Sequence, residues 1–328
     1  MSYPLNKVLR RYLGAGLLAA SVLAAEGAME LAICPAMTYE RKGGQEELFR
    51  AYEELFVDRL DEWPFVSANI DQFKFYITPL GRLDRSNPEL LEKMVKRMSA
   101  MDIGIGIEVC IRHGHAQLIR RTLDPVTRMG GRVDFLVTDN IFVKSQFRKS
   151  KKDEFTWESY EEAVEAYATF VAGIKEKYPD IRIGMIEAAF LFYWEDQDRF
   201  PAQGRRKKNH GDLKKILEDV IAACKRKGTR LDMFQPEYSY SRIEDTENGW
   251  AKLKAMETFC REQGMDFIFL FNDHDGGSHS DELFHKNVIH CLNEVNKNGL
   301  RPSMGTIQSW YTHPEEELPE EKPHTFMH

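Results

Sequence analysis

Acidic residues follow several short apolar runs of this sequence, at the points where buried strands would end. Glu108, Asp139, Glu187, Glu237 and Asp273 each stand at or just after such a run. A carboxylate is costly to bury without a partner, so this recurrence indicates one shared site rather than five unrelated loops. Carboxylates that crowd one site raise one another's pKa, as general acid–base chemistry near neutral pH requires.

Two carboxylates on either side of a scissile bond are the minimal machinery of glycoside hydrolysis. One protonates the leaving oxygen, and the other attacks the anomeric carbon or activates a water molecule. We predict Glu187 and Glu237 as this pair, because both are glutamates at the ends of apolar runs that would form adjacent strands. Asp139 is the third catalytic candidate, and Glu108 is predicted to hold a substrate hydroxyl or to tune a neighbouring carboxylate.

Other polar and aromatic residues lie at or just beyond the same strand ends. Sugar rings present C–H faces that pack on flat aromatic side chains, and their hydroxyl groups need hydrogen-bonding partners. Trp310 is the favoured sugar platform, because it comes directly after the last apolar run. The predicted substrate-binding residues are, besides Glu108, Tyr76, Tyr238, Asn272, Asp273, Gln308 and Trp310.

Eight apolar, β-rich runs alternate with segments of helical periodicity. Near-continuous apolar strands indicate burial on both faces, which is typical of a parallel sheet. Eight is the closure number of the (β/α)8 (TIM) barrel, and no GxGxxG turn follows the first run, as an open dinucleotide-binding sheet would have. We therefore predict a single (β/α)8 barrel. The runs cover residues 31–37, 73–78, 103–109, 133–139, 181–187, 231–237, 267–272 and 303–308.

The N-terminus has the pattern of a secretory signal. Lys7, Arg10 and Arg11 precede an apolar stretch that ends in small residues near Ala24. Residues 1–24 are predicted to be a signal peptide and residues 25–328 the barrel domain, which gives a periplasmic or extracellular protein. The alternative is the first helix of a cytoplasmic protein. The proline-rich, acidic tail from Pro314 is expected to wrap the outside of the barrel.

Composition and motifs exclude several classes of function. The 328 residues carry a net charge of -7, without the basic excess of a nucleic-acid-binding protein. After the signal, no stretch is apolar enough to insert stably in a membrane. There is no P-loop and no GxSxG nucleophile elbow, and we expect no cofactor and no bound metal. The oligomeric state stays open.

The chain resembles the (β/α)8 glycoside hydrolases, particularly their large retaining clan, and a group of uncharacterised bacterial glycosidase-like barrels. The resemblance covers most of residues 31–328 and implies a poly- or oligosaccharide substrate cleaved by carboxylates. The shared patterns are Asp71-x-Phe73-Lys74-Phe75-Tyr76, Gly130-Gly131-Arg132-Val133-Asp134-Phe135, Ile183-Gly184-Met185-Ile186-Glu187, Phe271-Asn272 leading to Ser280-Asp281, Gln308-Ser309-Trp310 and Leu318-Pro319-Glu320.

One departure from the retaining clan keeps two other functions open. That clan has an Asn-Glu pair after strand four and a glutamate at strand seven, whereas the corresponding positions here are Asp139-Asn140 and Asn272-Asp273. The first alternative is a metal-dependent sugar isomerase or phosphoesterase, with loop histidines such as His113, His115, His274 and His279 beside the carboxylates. The second is a non-catalytic carbohydrate-binding barrel.

Overall fold

The fold is known from a computed structural model, which describes residues 29–35, 44–109, 114–145, 157, 159–195, 211–246 and 248–328. Each of the eight predicted apolar runs overlaps a strand. The strands are β1 (Glu30–Cys34), β2 (Gln72–Tyr76), β3 (Gly104–Val109), β4 (Val133–Asp139), β5 (Arg182–Glu187), β6 (Met233–Pro236), β7 (Asp266–Phe271) and β8 (Met304–Gln308).

The strands form a closed parallel barrel in the order β1 to β8, with β8 paired to β1. The predicted single (β/α)8 barrel is therefore confirmed. Because every strand is parallel to its neighbours, all eight carboxyl ends emerge at one mouth of the barrel, and the loops that follow them surround that mouth.

Helices separate the strands and cover the outside of the barrel. Between β1 and β4 lie α1 (Gly44–Glu53), α2 (Pro64–Asn69), α3 (Ile77–Ser86), α4 (Pro88–Ala100), α5 (Gly114–Leu118) and α6 (Asp124–Arg128), with π-helical turns at Glu54–Asp58 and Ile119–Leu123. The later helices are α7 (Ile141–Ser145), α8 (Tyr160–Lys177), α9 (Leu213–Arg226), α10 (Tyr240–Glu244), α11 (Gly249–Glu262), α12 (His274–His279) and α13 (Asp281–Lys297). Short 3₁₀ turns occupy Leu60–Glu62 and Ala189–Leu191.

Helix ends follow the expected signals. The Asn87 side chain accepts a hydrogen bond from the Leu90 N–H and so caps α4. Gly228, Gly264 and Gly299 follow the last turns of α9, α11 and α13 with positive φ, which a glycine adopts without steric cost.

Side chains alternate along each strand, so successive residues face either the helices outside the barrel or the barrel axis. On β5, Ile183 and Met185 pack in the large outer cluster with the helices, whereas Ile186 belongs to a separate cluster inside the barrel. The same parity holds on β4 and β7, where Phe135 and Ile268 face the barrel axis.

Inward side chains from alternate strands share a layer. With the observed pairing, three layers lie below the mouth. The uppermost contains Tyr76, Asp139, Glu237 and Gln308, the next Cys34, Glu108, Ile186 and Leu270, and the third Lys74, Val137, Gln235 and Thr306.

The opposite end of the barrel is closed. Below the three layers, Phe135, Met233, Ile268 and Met304 form an apolar plug. Beneath this plug, Arg182 bridges Glu30 at 2.5 Å and Asp266 at 3.0 Å. Among the described residues, the barrel interior is therefore filled at the amino ends of the strands.

The C-terminal tail packs along the outside, as predicted. Both carboxylate oxygens of Glu320 accept backbone N–H bonds, from Phe65 and Val66 at the start of α2, each at 2.9 Å. Leu318 and Phe326 are buried in the outer cluster.

The predicted signal, residues 1–24, lies outside the described residues. In the part of the chain that is described, no helix is long and apolar enough to cross a membrane.

Gly106 on β3 makes room for the inward ring of Phe135. A Cβ atom at residue 106 would lie 2.1 Å from the ring. We therefore expect Gly106→Ala to lower the free energy of unfolding by about 1–3 kcal/mol, the cost of overpacking. Gly81→Ala is the matched control, because Gly81 lies inside α3 with no atom within 4 Å of the added methyl. It should stabilise by about 0.5–1 kcal/mol. Urea unfolding measures both, and equal effects would contradict this packing.

Candidate active site

The uppermost layer of inward side chains forms the floor of the crevice, and it has two chemically different halves. Asp139 and Glu237, from the ends of β4 and β6, form the acidic half. Tyr76 and Gln308, from β2 and β8, form the neutral half. Since β2 and β8 lie across the barrel from β4 and β6, a molecule in the mouth lies between a pair of acids and a pair of neutral hydrogen-bonding groups.

The amide of Asn140 joins the two acids. Its Nδ2 atom donates to Oδ1 of Asp139 at 2.6 Å and to Oε2 of Glu237. Its Oδ1 atom accepts the backbone N–H of Ala188 at 2.7 Å. This last contact orients the amide, so that both N–H groups point to carboxylates. Because each bond to Nδ2 is at most about 3 Å long, the two carboxylate oxygens lie within about 6 Å of each other.

Asn140 holds this position at a backbone conformation that few residues adopt. Its φ is +48°, in the left-handed region, where Asn is tolerated better than most side chains. Two backbone hydrogen bonds join the ends of these strands. The Asn140 N–H donates to the Ile186 carbonyl, and the Glu237 N–H donates to the Glu187 carbonyl. The ends of β4, β5 and β6 are thus fixed relative to one another.

The neutral half is organised around the Tyr76 hydroxyl. It accepts Nε2–H of Gln308 at 2.5 Å and the indole N–H of Trp310 at 2.9 Å. The Trp310 ring is half-buried and held at one edge of the mouth. The sequence-predicted residues Tyr76, Gln308 and Trp310 are therefore brought together by direct hydrogen bonds.

Lys74 and Glu108 form a buried ion pair immediately below. Lys74 is fully buried, and its Nζ lies 2.7 Å from Oε2 of Glu108 and 2.8 Å from Oε1 of Gln308. The charge of Glu108 is thereby balanced within the barrel. A charge pair in this setting orients Gln308, because the Gln308 amide bonds Lys74 through its oxygen and Tyr76 through its nitrogen.

Glu187 lies on the other side of β5. It follows Ile183 and Met185 on the helix-facing side, is 0% exposed, and accepts the N–H of Phe142 at 2.8 Å and of Val143 at 3.4 Å. Burial raises its pKa to about 8, the charges of Asp139 and Glu237 act in the same direction, and the two backbone N–H bonds oppose them. The structure brings Asp139 and Glu237 together in the crevice and places Glu187 behind them, against the start of α7.

Two further predicted site residues, Asp273 and Tyr238, form hydrogen bonds to neighbouring loops and helices. The Asp273 carboxylate is fully buried and accepts bonds from the Gly276 N–H, the Asn287 amide and the Ser241 N–H. It therefore caps α12 and ties it to α10 and α13. The Tyr238 hydroxyl lies 2.6 Å from Oγ1 of Thr246, and the residue is 2% exposed.

Asn272 keeps its predicted place at the crevice. It follows β7, between the strands that carry Glu237 and Gln308, and its side chain has the inward parity of Ile268. It is fully buried, and neither atom of its amide has a hydrogen-bond partner in the described part of the chain.

The sequence prediction missed Asn140 and Lys74. Lys74 had a signal, since an alternating run with aromatic residues at positions 73 and 75 and lysine at position 74 places the lysine on the opposite face. Asn140 gave none beyond its place at a strand end, because its bond to Glu237 spans 97 residues.

Metal binding has no candidate among the described residues: no group of three or more His, Cys, Asp and Glu side chains there is arranged to hold an ion. Of the loop histidines named from the sequence, His274 lies 3.2 Å from Asp275, and His279 contacts the Asp275 carbonyl at 2.6 Å. His113 lies outside the described residues.

Comparison with known proteins shows similarity at the level of the fold, without a match to a protein family. No protein-family profile and no curated protein sequence matches the chain. Among solved structures, it resembles fungal β-1,4-galactanases with a TM-score of 0.51 and 11% identity over 86% of this chain and 89% of that one. A β-glucosidase from Thermotoga maritima (TM-score 0.43, 11% identity, 78% and 77% covered) and a dihydropteroate synthase from Coxiella burnetii (TM-score 0.45, 12% identity, 87% and 88% covered) also match. The structural neighbours thus include glycoside hydrolases together with barrels that carry out other reactions, such as an aldo-keto reductase.

The setting of Glu187 gives a pH-dependent stability. Its pKa is raised from 4.5 to about 8 in the folded protein, so the folded state holds this proton more tightly than the unfolded chain does. Its contribution to stability is therefore complete below about pH 4.5 and is lost as the pH rises to about 8. The glutamine side chain of Glu187→Gln is uncharged at every pH. The free energy of unfolding of the variant, relative to that of the wild type, should therefore rise by up to about 1.4 kcal/mol per pH unit across this window.

Thermal unfolding of both proteins at about pH 5 and about pH 9 measures this difference. Glu218→Gln, which removes an exposed carboxylate from α9, should leave the wild-type pH dependence nearly unchanged. A Glu187→Gln variant whose difference from the wild type is the same at both pH values would contradict the buried, protonated carboxyl.

Proposed function

We propose that the protein hydrolyses glycosidic bonds of an oligo- or polysaccharide, with Asp139 and Glu237 as its two reacting carboxyl groups. The observation that carries the proposal is the Asn140 amide, which binds both side chains from one nitrogen atom at the mouth of the barrel. The active sites of (β/α)8 enzymes lie at this face.

The separation of the two carboxyl groups favours one stereochemical outcome. Retaining glycosidases place them about 5–5.5 Å apart and inverting enzymes about 6.5–9.5 Å apart. Two oxygens bound to one amide nitrogen lie within about 6 Å of each other, which is nearer to the first range than to the second. In this proposal one carboxyl protonates the leaving oxygen, while the other attacks the anomeric carbon and forms a glycosyl-enzyme, which water then hydrolyses.

The Asn140 amide supports both roles. Each of its N–H groups donates to one carboxylate, so the amide holds the two carboxyl groups close together at the mouth of the barrel. Asn140 acts through its neighbours and is therefore a positioning residue.

The neutral half supplies the surface against which a sugar would lie. The indole ring of Trp310 offers an apolar face, and its N–H group is already bonded to Tyr76. Sugar C–H groups can pack on the ring, while Tyr76 and Gln308 face the hydroxyl groups. The likeness to the fungal galactanases agrees with such a substrate, and the predicted signal at residues 1–24 would bring the protein to extracellular glycans.

Hydrolysis of a broad panel of plant and bacterial glycans tests the proposal. We expect Asp139→Asn and Glu237→Gln each to lower kcat by about 10²–10⁴-fold, the contribution of a positioned acid or base. Glu187→Gln is the matched control, because the same change is made behind the strand, and it should stay within about tenfold of the wild type, below the effect of a positioned acid or base.

Three results would contradict this proposal. Loss of activity in Glu187→Gln with activity kept in Glu237→Gln would move the chemistry to the other side of β5. Activity that disappears with EDTA would support a metal-dependent reaction instead. A wild-type protein that retains a glycan and cleaves none would be a carbohydrate-binding barrel.

A further inference from the structure

Three histidines lie together where the C-terminal tail packs on α13. The ring centroid of His285, on α13, is 5.6 Å from that of His324 and 5.8 Å from that of His328. The rings of His324 and His328, both in the tail, are 6.2 Å apart. Each of the three rings, which we call the histidine cluster, is therefore a neighbour of the other two, and a positive charge on one of them acts on both others.

Two ring nitrogens of the cluster have no acceptor. Nε2 of His285 and Nδ1 of His324 are buried, and neither has a hydrogen-bond partner within the described residues. A protonated imidazole carries a hydrogen atom on both of its nitrogens, whereas a neutral one carries a hydrogen on only one. Protonation of either ring would therefore leave a buried N–H group without an acceptor, a cost that the neutral ring avoids.

The surroundings of His285 also oppose its protonation. Burial lowers the pKa of His285, and the other two rings of the cluster lower it further. A hydrogen bond to the Thr325 backbone and the charge of Asp281 act in the opposite direction. Asp281 lies one turn before His285 on α13, and its Oδ1 atom is already 2.5 Å from Nδ1 of His313. The docked state therefore favours the neutral form of His285.

The cluster holds a short apolar segment of the tail on the barrel. Thr325, Phe326 and Met327 lie between two of its histidines in the sequence, and all three are buried. The Phe326 N–H donates to the Glu316 carbonyl at 2.9 Å, and the Met327 N–H donates to the Glu317 carbonyl at 3.1 Å. Because the side chains of Phe326 and Met327 belong to the outer apolar cluster, separation of the three rings would expose both to water.

The earlier part of the tail is attached by contacts that do not involve these histidines. The Glu320 carboxylate binds two backbone N–H groups at the start of α2. The Lys322 ammonium group lies 2.6 Å from the Glu316 carboxylate. Loss of the histidine contacts would therefore free residues 324–328 and leave the tail before Lys322 in place.

We propose that the histidine cluster is a pH-sensitive latch, which holds residues 324–328 on the barrel while its rings are neutral and releases them in acid. His285 resists protonation while the segment is docked and titrates near pH 6.5 once it is released. Docking is therefore strongest above about pH 6.5 and weakens as the pH falls below that value. The latch does not depend on the proposed function, because none of its residues belongs to the acid pair.

Hydrogen exchange of the full chain at several pH values tests the latch. Mass spectrometry follows the peptic peptide that contains Phe326 and Met327 at about pH 5, 6, 7 and 8, with labelling times scaled to the intrinsic exchange rate. We expect equal protection at the two higher pH values. Below about pH 6.5, protection should fall by up to about tenfold per pH unit for each histidine that takes up a proton. A peptide from α8 reports on global unfolding and should keep its protection.

Uncharged substitutions test which rings are responsible. His285→Gln and His324→Gln each remove one group that can take up a proton, so the loss of protection between about pH 7 and about pH 5 should shrink by about 3–10-fold. This difference should remain even if docking at neutral pH is weaker in both variants. His290→Gln is the matched control, because it makes the same change at an exposed position of α13, and it should keep the wild-type pH dependence.

Three results would overturn the latch. The first is equal protection of the Phe326 and Met327 amides at about pH 5 and about pH 8 in the wild type. The second is a loss of protection in His285→Gln and His324→Gln that is the same at every pH, because a purely structural role of the rings gives this result. The third is a loss of protection in the α8 peptide at the same pH as in the tail, which would indicate global unfolding.

Discussion

The strict alternation of side chains along a barrel strand is the constraint on which the rest of the structure depends. One residue of shift moves a side chain from the barrel axis to the helix layer. Asp139 and Glu237 share the inward face, whereas Glu187 lies on the opposite face of β5 from its neighbour Ile186. The same rule sets Lys74 inward and the aromatic residues on either side of it outward. The odd or even position of a residue along its strand thus determines whether its side chain can meet other polar groups inside the barrel.

Within that frame, the polar interior is organised as separate, internally balanced groups. Lys74 neutralises Glu108 deep in the barrel, and the Asn140 amide satisfies two acids at the mouth. A buried charge without a partner would cost several kcal/mol, so this pairing lets carboxylates accumulate at one end of an otherwise apolar barrel. Glu187 avoids an unpaired buried charge in another way. Burial raises its pKa and so favours its protonated form, and two backbone N–H groups donate hydrogen bonds to its carboxyl group. Rigid support of this kind keeps the acid pair at a fixed separation.

The sequence was sufficient to predict the barrel, because strand length, apolar runs and glycine-terminated helices are local signals. It also identified Asp139, Glu237, Tyr76, Gln308 and Trp310 as neighbours of the mouth. It could not tell on which face of β5 Glu187 lies, since that strand is apolar on both faces. It could not reveal Asn140 either: the amide matters through residues that are 48 and 97 positions away, and only the closed barrel brings these residues together.

The most direct test of the central claim is a crystal structure of Glu237→Gln with the oligosaccharide that the wild type cleaves. The account predicts an anomeric carbon within about 3.5 Å of a carboxyl oxygen of Asp139 or of the side-chain oxygen of residue 237, the near-attack distance, with the sugar between these side chains and Trp310. A sugar bound elsewhere on the surface, or one whose anomeric carbon approaches neither residue, would contradict the assignment of Asp139 and Glu237 as the reacting pair.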